Sequence, residues 1–350
     1  MGIFRDIASL IYGRVLDTRN VLYDFAIFRS YKIKVPVISV GNITLGGTGK
    51  TPLVSYIASL IAEEGGRPAV VSRGYKRKDE NKLVVVSDGE KIIEDAELTG
   101  DEPLELALDL RERARVVCDS DRVRGAVYAA ERLGATAVVL DDAFQHRRIS
   151  RDLDIVVIDA TAPFGSGKTV PSGRLREPLH NLSRADAAIL TRSDATDRKV
   201  EIVDEIRKLS PSCAIFSART ETRKILRITG EGLDSEPQET VFFLFSAIGN
   251  PASLEAQMMR EGIAIAGSKR FRDHHKYTEK DICEIVAKAR ESGADALLTT
   301  GKDAVKLREF DFGMPCYRVK SRLVIDDETA FREMILQAAT GPEGQASTPS

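Results

Sequence analysis

The sequence contains no tryptophan, and only four cysteines and four histidines in 350 residues. Cys118, Cys213, Cys283 and Cys316 stand far apart, with no C-x-x-C pair. That spacing excludes a disulfide-stapled scaffold and a cysteine-based zinc site, and it suits a reducing compartment. An excess of one charge is also lacking, because 51 Lys and Arg are matched by 53 Asp and Glu. A general nucleic-acid binder needs a basic excess, so no nucleic-acid partner is expected. No run of about 18 apolar residues escapes a charge, so no spanning helix is expected. Arg5, Asp6 and Arg14 interrupt the first apolar stretch, which argues against a signal peptide. Residue 6 is neither Ser nor Thr, which argues against myristoylation.

What is present is an ordinary globular balance, with enough chain for two domains. From residue 35 to about 220, short apolar runs alternate with helical patterns. The runs are VPVISV (35–40), PAVVS (68–72), ARVVC (114–118), TAVVL (136–140), DIVVID (154–159), AAILT (187–191) and AIFS (214–217). Continuous Val/Ile-rich runs are the mark of strands buried on both faces. Alternation with helices predicts an α/β fold, a doubly wound and mostly parallel sheet of the Rossmann-like P-loop type, over 35–222. A polar stretch near 220–240 leads to a smaller second α/β domain over 223–338. It carries FFLFSAI (242–248), a helix over 251–262, a short run near 263–266 and LLTT (297–300). Residues 339–350, ending in GPEGQASTPS, read as a disordered tail.

Residues 1–34 form a separate segment. Ile3, Ile7, Leu10 and Ile11 recur at helical spacing, followed by Val21, Leu22, Phe25 and Phe28, among six basic and three acidic residues. Such a helix either packs on the domain core or lies in a membrane interface with its apolar face among acyl chains.

Two segments end in G-K-T, and neither meets the strict pattern G-x-x-x-x-G-K-[ST]. Thr44 replaces the first Gly in TLGGTGKT (44–51), and Ala162 replaces it in APFGSGKT (162–169). A phosphate loop needs a strand before it and a helix N-terminus after it. The first comes after the run 35–40 and opens into PLVSYIASLIAEEGG, whereas the second leads into VPSGRLREP, where two prolines and a glycine forbid a helix. The expected nucleotide loop is therefore Thr44, Leu45, Gly46, Gly47, Thr48, Gly49, Lys50 and Thr51. Its backbone N–H groups would cradle the β-phosphate of ATP, Lys50 would face the β- and γ-phosphates, and Thr51 would sit on Mg²⁺. AVVLDD (137–142) reads as the acidic strand that completes such a site. Asp141 or Asp142 would reach the metal, with Asp159 of DIVVIDA as the competitor.

Together these and other segments resemble the tetraacyldisaccharide 4′-kinase family. The matching pieces are VGNITLGGTGKTP (40–52), SRGYKR (72–77), TGDEP (99–103), DRVRGA (121–126), LDDAFQHR (140–147), FG-SG with GRLREP (164–178), FRDHH (271–275) and TGKDAVK (300–306). Ala143 departs from the Gly usual in that family. The resemblance implies transfer of the ATP γ-phosphate to the 4′-hydroxyl of an acylated glucosamine disaccharide 1-phosphate, a lipid A precursor. It also implies a peripheral position on the cytoplasmic face of a bacterial inner membrane. Asp101, at the start of a helix primed by Pro103, becomes the expected general base, oriented by His274 from the second domain. Arg73, Tyr75, Arg122, Gln145 and His146 are the expected contacts to the disaccharide and its phosphate, and Glu177 is a further expected metal ligand. Lys302 and Asp303 receive no role.

Two other functional classes compete with this one. ILTRSD (189–194) loosely matches the guanine-reading N-K-x-D segment of a GTPase or metal-delivery chaperone, but it lacks the Asn, and no His/Cys-rich tract accompanies it. A membrane-surface ATPase without a small acceptor would have no use for Asp101 and His274 together.

Overall fold

The computed structural model describes residues 2–228 and 235–341. After helix α1 (Gly2–Asp24), the first half runs β1 (Val37–Asn42), α2 (Lys50–Glu63), β2 (Pro68–Ser72), β3 (Val84–Ser87), α3 (Ala96–Thr99), α4 (Asp101–Asp109), β4 (Arg115–Cys118), α5 (Arg122–Arg132), β5 (Ala137–Asp141), β6 (Leu153–Asp159), β7 (Ala187–Thr191), α6 (Lys199–Leu209) and β8 (Ala214–Arg227). The second half continues with β9 (Phe242–Ser246), α7 (Pro251–Arg260), β10 (Ile265–Arg270), α8 (Glu279–Glu291), β11 (Ala296–Thr300), α9 (Gly301–Ala304), β12 (Cys316–Ile325) and α10 (Glu328–Thr340).

All these strands join one sheet in the order β10-β9-β11-β12-β8-β7-β6-β1-β5-β2-β4-β3. Pairing is parallel except at β3–β4 on one edge and β8–β12 in the middle. The long β8–β12 ribbon thus welds two parallel halves into one α/β sheet. Residues 218–225, expected in or next to the polar connection, pair with 325–319 across the ribbon and extend β8. Part of that expected connection, 229–234, lies outside the described residues.

The apolar runs become fully buried strands because helices cover both faces. On one face α2 packs Leu53, Val54, Ile57 and Ile61 against Ile38, Val139 and Val70. Burying that many branched side chains, at about 25 cal/mol per Å², is the dominant driving force for this layer. Phe331 and Ile335 of α10 belong to the same cluster, so the last helix returns to the first half. That helix also continues through Thr340, so residues 339 and 340 of the expected tail are helical, and residues 342–350 of it lie outside the described ones. The second half has its own two apolar layers, around Phe245 with Ile285 and around Leu244 with Met258.

Helix α1 buries an unexpected stripe. Ser9, Gly13, Leu16 and Asn20 face the protein, while Ile3, Phe4, Ile7, Leu10, Ile11 and Val15 are exposed. Among the described residues, no helix is long and apolar enough to cross a membrane.

Candidate active site

β1 ends in Asn42, and the chain turns through a Gly-rich loop into α2. Gly46 and Gly49 take positive φ angles of 117° and 85°, which a residue with a Cβ rarely adopts. The loop is held from several sides. Asn42 Nδ2 donates to Thr44 O at 2.7 Å and to Thr48 Oγ1 at 3.2 Å. Thr191 Oγ1 donates to Thr48 O at 2.8 Å, Arg192 to Gly47 O at 3.0 Å, and Arg174 to Leu45 O at 2.7 Å. With several of its carbonyls held from outside, the loop keeps its amides turned toward an anion, and α2 adds the positive end of its dipole.

The loop opens on a cleft of about 1190 Å³ between the two halves. Gly46 to Thr51, Arg73, Tyr75, Arg122, Asp141, Asp142 and His274 all line it, together with Glu102, Glu105, Arg176, Asp273 and Lys302. Lys50 Nζ stands 3.3 Å from Asp142, whose two oxygens accept from Arg176 at 2.8 and 2.9 Å. Burial opposes ionisation of Asp142, but Lys50 and Arg176 hold its carboxyl far below the usual range. Asp141 sits differently. It is buried, accepts from Ser72 Oγ at 2.9 Å, and burial with the nearby carboxylates Glu102 and Asp142 pushes it up to about 6.

From the second half, His274 reaches α4. Its Nδ1 lies 3.3 Å from Asp101 Oδ2, and its Nε2 lies 3.1 Å from Lys302 Nζ. An ammonium only donates, so Nε2 is the acceptor and Nδ1 carries the proton toward Asp101. Lys302 is fixed by Glu102 and Asp273, both at 3.0 Å. Those carboxylates outweigh its burial and raise its affinity for a proton. Burial of Asp101 disfavours its charge, yet the His274 hydrogen bond and nearby Lys306, at 3.5 Å, bring the carboxyl below its ordinary value. Tyr75 packs edge-on against His274, with ring centroids 5.5 Å apart.

Five expected site residues do not line the cleft: Thr44, which is buried, Asp101, which stands against His274, and Glu177, Gln145 and His146. Glu177, expected on the metal, is fully buried outside the cleft and accepts from Gln145 at 2.8 Å, Arg184 at 2.9 Å and Asn20 at 3.3 Å. With its oxygens so occupied it is a structural tie, which corrects the metal assignment. Gln145 is its partner and also donates to Asn42 O at 2.9 Å, so its amide is likewise engaged away from the cleft. His146 does not line the cleft either; burial, then Arg122 and Arg151, lower it to about 4, leaving it neutral. Arg122 is at the cleft wall, but its guanidinium donates to Asp119 O at 2.8 Å and Asp141 O at 3.2 Å, bracing the acidic strand.

The competing motifs have other tasks. Asp159 pairs with Arg192, and Lys168 of the second G-K-T loop pairs with Asp6 of α1 at 3.1 Å. Arg192 and Asp194 of the loosely GTPase-like segment hold the phosphate loop and Arg260 respectively. Two residues of the cleft, Glu102 and Lys302, have no role assignable from sequence. For Glu102, its place beside Asp101 in TGDEP is the signal that could have found it.

A chain with this cleft matches known proteins along nearly its whole length. The family model described as tetraacyldisaccharide-1-P 4′-kinase covers residues 3–340. The tetraacyldisaccharide 4′-kinase of Desulfotalea psychrophila is 37% identical over 337 residues, spanning 94% of each chain. That of Chlorobaculum tepidum is 39% identical over 307 residues, covering 86% of this chain and 85% of its own. Among solved structures, LpxK from Aquifex aeolicus in complex with ATP superposes with a TM-score of 0.75 at 29% identity, over 95% of this chain and 97% of that one. The chain belongs to the tetraacyldisaccharide-1-P 4′-kinase family.

Proposed function

We propose that this chain transfers the γ-phosphate of ATP to the 4′-hydroxyl of a tetraacyldisaccharide 1-phosphate, a step of lipid A synthesis, at a membrane surface. The observation that carries the reading is the Asp101–His274–Lys302 array, in which Asp101 of the first half lies 3.3 Å from His274 of the second, and His274 and Lys302 line the cleft that holds the phosphate loop. An ATPase without an acceptor has no need of that array, and the TRSD segment is engaged in holding the loop.

The cleft fits Mg²⁺. The buried Asp141 and the partly exposed Glu102 repel each other, and among the described residues no group of three or more His, Cys, Asp or Glu is arranged to bind a metal alone. Mg²⁺ is characteristically held by one or two carboxylates together with phosphates and water. Thr51, Asp141 and the Glu102 oxygen not bonded to Lys302 would hold it, whereas both oxygens of Asp142 are already engaged by Arg176. When bound, the ion would neutralise charge on the transferring phosphoryl group.

The chain's own residues do the rest. The amides of Gly46 to Gly49 and Lys50 bind and orient the phosphates. Asp101, ionised at neutral pH because its affinity for a proton is lowered, accepts the proton of the attacking hydroxyl. His274 Nδ1–H steadies the carboxylate, and Lys302 keeps that tautomer in place. Arg73 and Tyr75, both open to the cleft, are the remaining contacts for sugar or phosphate groups. The exposed apolar residues of α1, flanked by Arg5, Arg14 and Arg19, support a peripheral seat on an anionic leaflet, the cytoplasmic face of an inner membrane.

Phosphorus NMR of the lipid product tests the acceptor. One new phosphomonoester at the 4′-oxygen with equimolar ADP is expected, and ADP released without a phosphorylated lipid contradicts the reading. Flotation with anionic vesicles tests the membrane arm, where Leu10→Ser is expected to weaken binding, and undiminished flotation contradicts it.

A further inference from the structure

Helix α1 does more than present an apolar face. Its inward residue Asn20 is buried and donates through Nδ2 to Glu177 Oε2 at 3.3 Å. Glu177 Oε1 accepts from Gln145 Nε2 at 2.8 Å, and that same Nε2 lies 2.9 Å from the carbonyl oxygen of Asn42. Asn42 in turn grips Thr44 O and Thr48 Oγ1, at the two ends of the phosphate-loop turn. The helix is thereby connected to the loop by an unbroken series of hydrogen bonds through the interior. A second strand of the network joins it, since Arg19 donates to Gln145 O at 3.1 Å and Arg147 to Asn20 O at 2.8 Å.

We propose that α1 is a positioning element of the phosphate loop, with Asn20, Glu177 and Gln145 as the positioning residues that link its seat to the loop backbone. None of the three touches the cleft, so their effect is on the shape of the loop. Glu177 keeps its ion pair with Arg184 at 2.9 Å when Asn20 leaves, but a buried carboxylate that loses a donor on one side moves toward the donors that remain. If α1 lifts, Glu177 loses Asn20 and is drawn toward Arg184, Gln145 shifts with the carboxylate, and Asn42 no longer has its carbonyl held. The amides of Gly46 to Gly49 then lose their common orientation toward the phosphates. Linkage makes the effect reciprocal, so bound ATP tightens the seat of α1. The inference rests on 44–51 being the nucleotide loop and holds whatever the outer face of α1 touches.

The test is ATP affinity of the full chain with Mg²⁺ and no lipid, measured by calorimetry for Asn20→Ala, Gln145→Met and the double variant. Each single change is expected to raise the ATP Kd about 5–10-fold, the worth of roughly one buried hydrogen bond. The double variant is expected to be no weaker than the worse single one, because both cut the same series. Amide exchange at residues 44–49 is expected to quicken in each variant, which a merely destabilised helix would not cause. Thr18→Ala, exposed on the same helix, is the control and leaves Kd unchanged. A Kd within about two-fold of wild type in both single variants, or additive effects, overturns the proposal. Should Asn20→Ala fail to fold, Gln145→Met decides by the same criteria. A wild-type chain that does not bind ATP would instead overturn the loop assignment.

Discussion

Two loops of this chain differ by one residue, GTGKT at 47–51 and GSGKT at 165–169, and have nothing else in common. The first leaves a buried strand, opens α2, and faces carboxylates and a histidine supplied by both halves. The second forms a short 3₁₀ turn, and its Lys168 and Thr169 bond to Asp6 and Ser9 of α1. A phosphate loop is therefore defined by the helix it opens and by the groups that face it. The spelling of its last five residues does not distinguish a nucleotide site from a clasp for a helix.

Mutation can erase this contrast or make it plainer. Lys50→Ala is expected to lower turnover by about 10³-fold, at the upper end for loss of one transition-state charge contact. Steady-state kinetics at saturating lipid would show it, and near-normal turnover would abolish the distinction between the loops. Asp101→Asn is expected to lower kcat by about 10²–10³, within the range for a general base, with the ATP Kd retained. Because Asp101 ionises more readily than an ordinary carboxyl, its acid limb should fall below the usual carboxylate range. A limb near neutrality would identify another base. Lys302→Met is expected to reduce kcat about ten-fold by releasing His274 Nε2, the effect of losing roughly one charge-assisted hydrogen bond. It should also shift the pH profile, which a purely structural lysine would not do.

Glu105 lies in the wall of the same cleft. It is partly buried, and burial followed by Asp109 pushes its carboxyl up to about 8. A raised acid binds a proton in the folded state that it has lost in the unfolded one. Its contribution therefore declines as pH rises from the ordinary carboxylate value toward 8 and is flat above. Glu105→Gln is expected to stabilise the chain by about 1–2 kcal/mol at pH 8, with little effect at pH 4, in urea unfolding. The smallest effect belongs to the second loop. Lys168→Ala removes an exposed ion pair and should change the ATP Kd by less than about two-fold.

Much of this is legible in the sequence. The doubly wound sheet shows in runs such as IVVID and AVVLD, which become strands with every residue buried. The ribbon is not legible, for the opposite reason. β12 reads CYRVKSRLVI, where Arg318, Lys320, Ser321 and Arg322 break up the apolar residues, and the matching half of β8 is polar enough to read as a connection. β8 opens on the apolar run AIFS, but neither its half paired in the ribbon nor β12 is the unbroken apolar run that marks burial on both faces. At the site, the structure brings Asp101 to His274 across 173 positions, as the family resemblance implies. Glu177 and Gln145 escape a sequence reading because a motif's spelling carries no direction, and only packing reveals that both point inward beneath α1. Lys302 needs three partners from distant segments before its task can be stated.

The most direct measurement is transfer of labelled phosphate from Mg·ATP to tetraacyldisaccharide 1-phosphate in detergent micelles, beside a lipid-free control. A labelled, more anionic lipid, with little ATP consumed in the control, is the expected result. ATP consumed equally with and without lipid, and no label in the lipid, would contradict the assignment of an acceptor kinase.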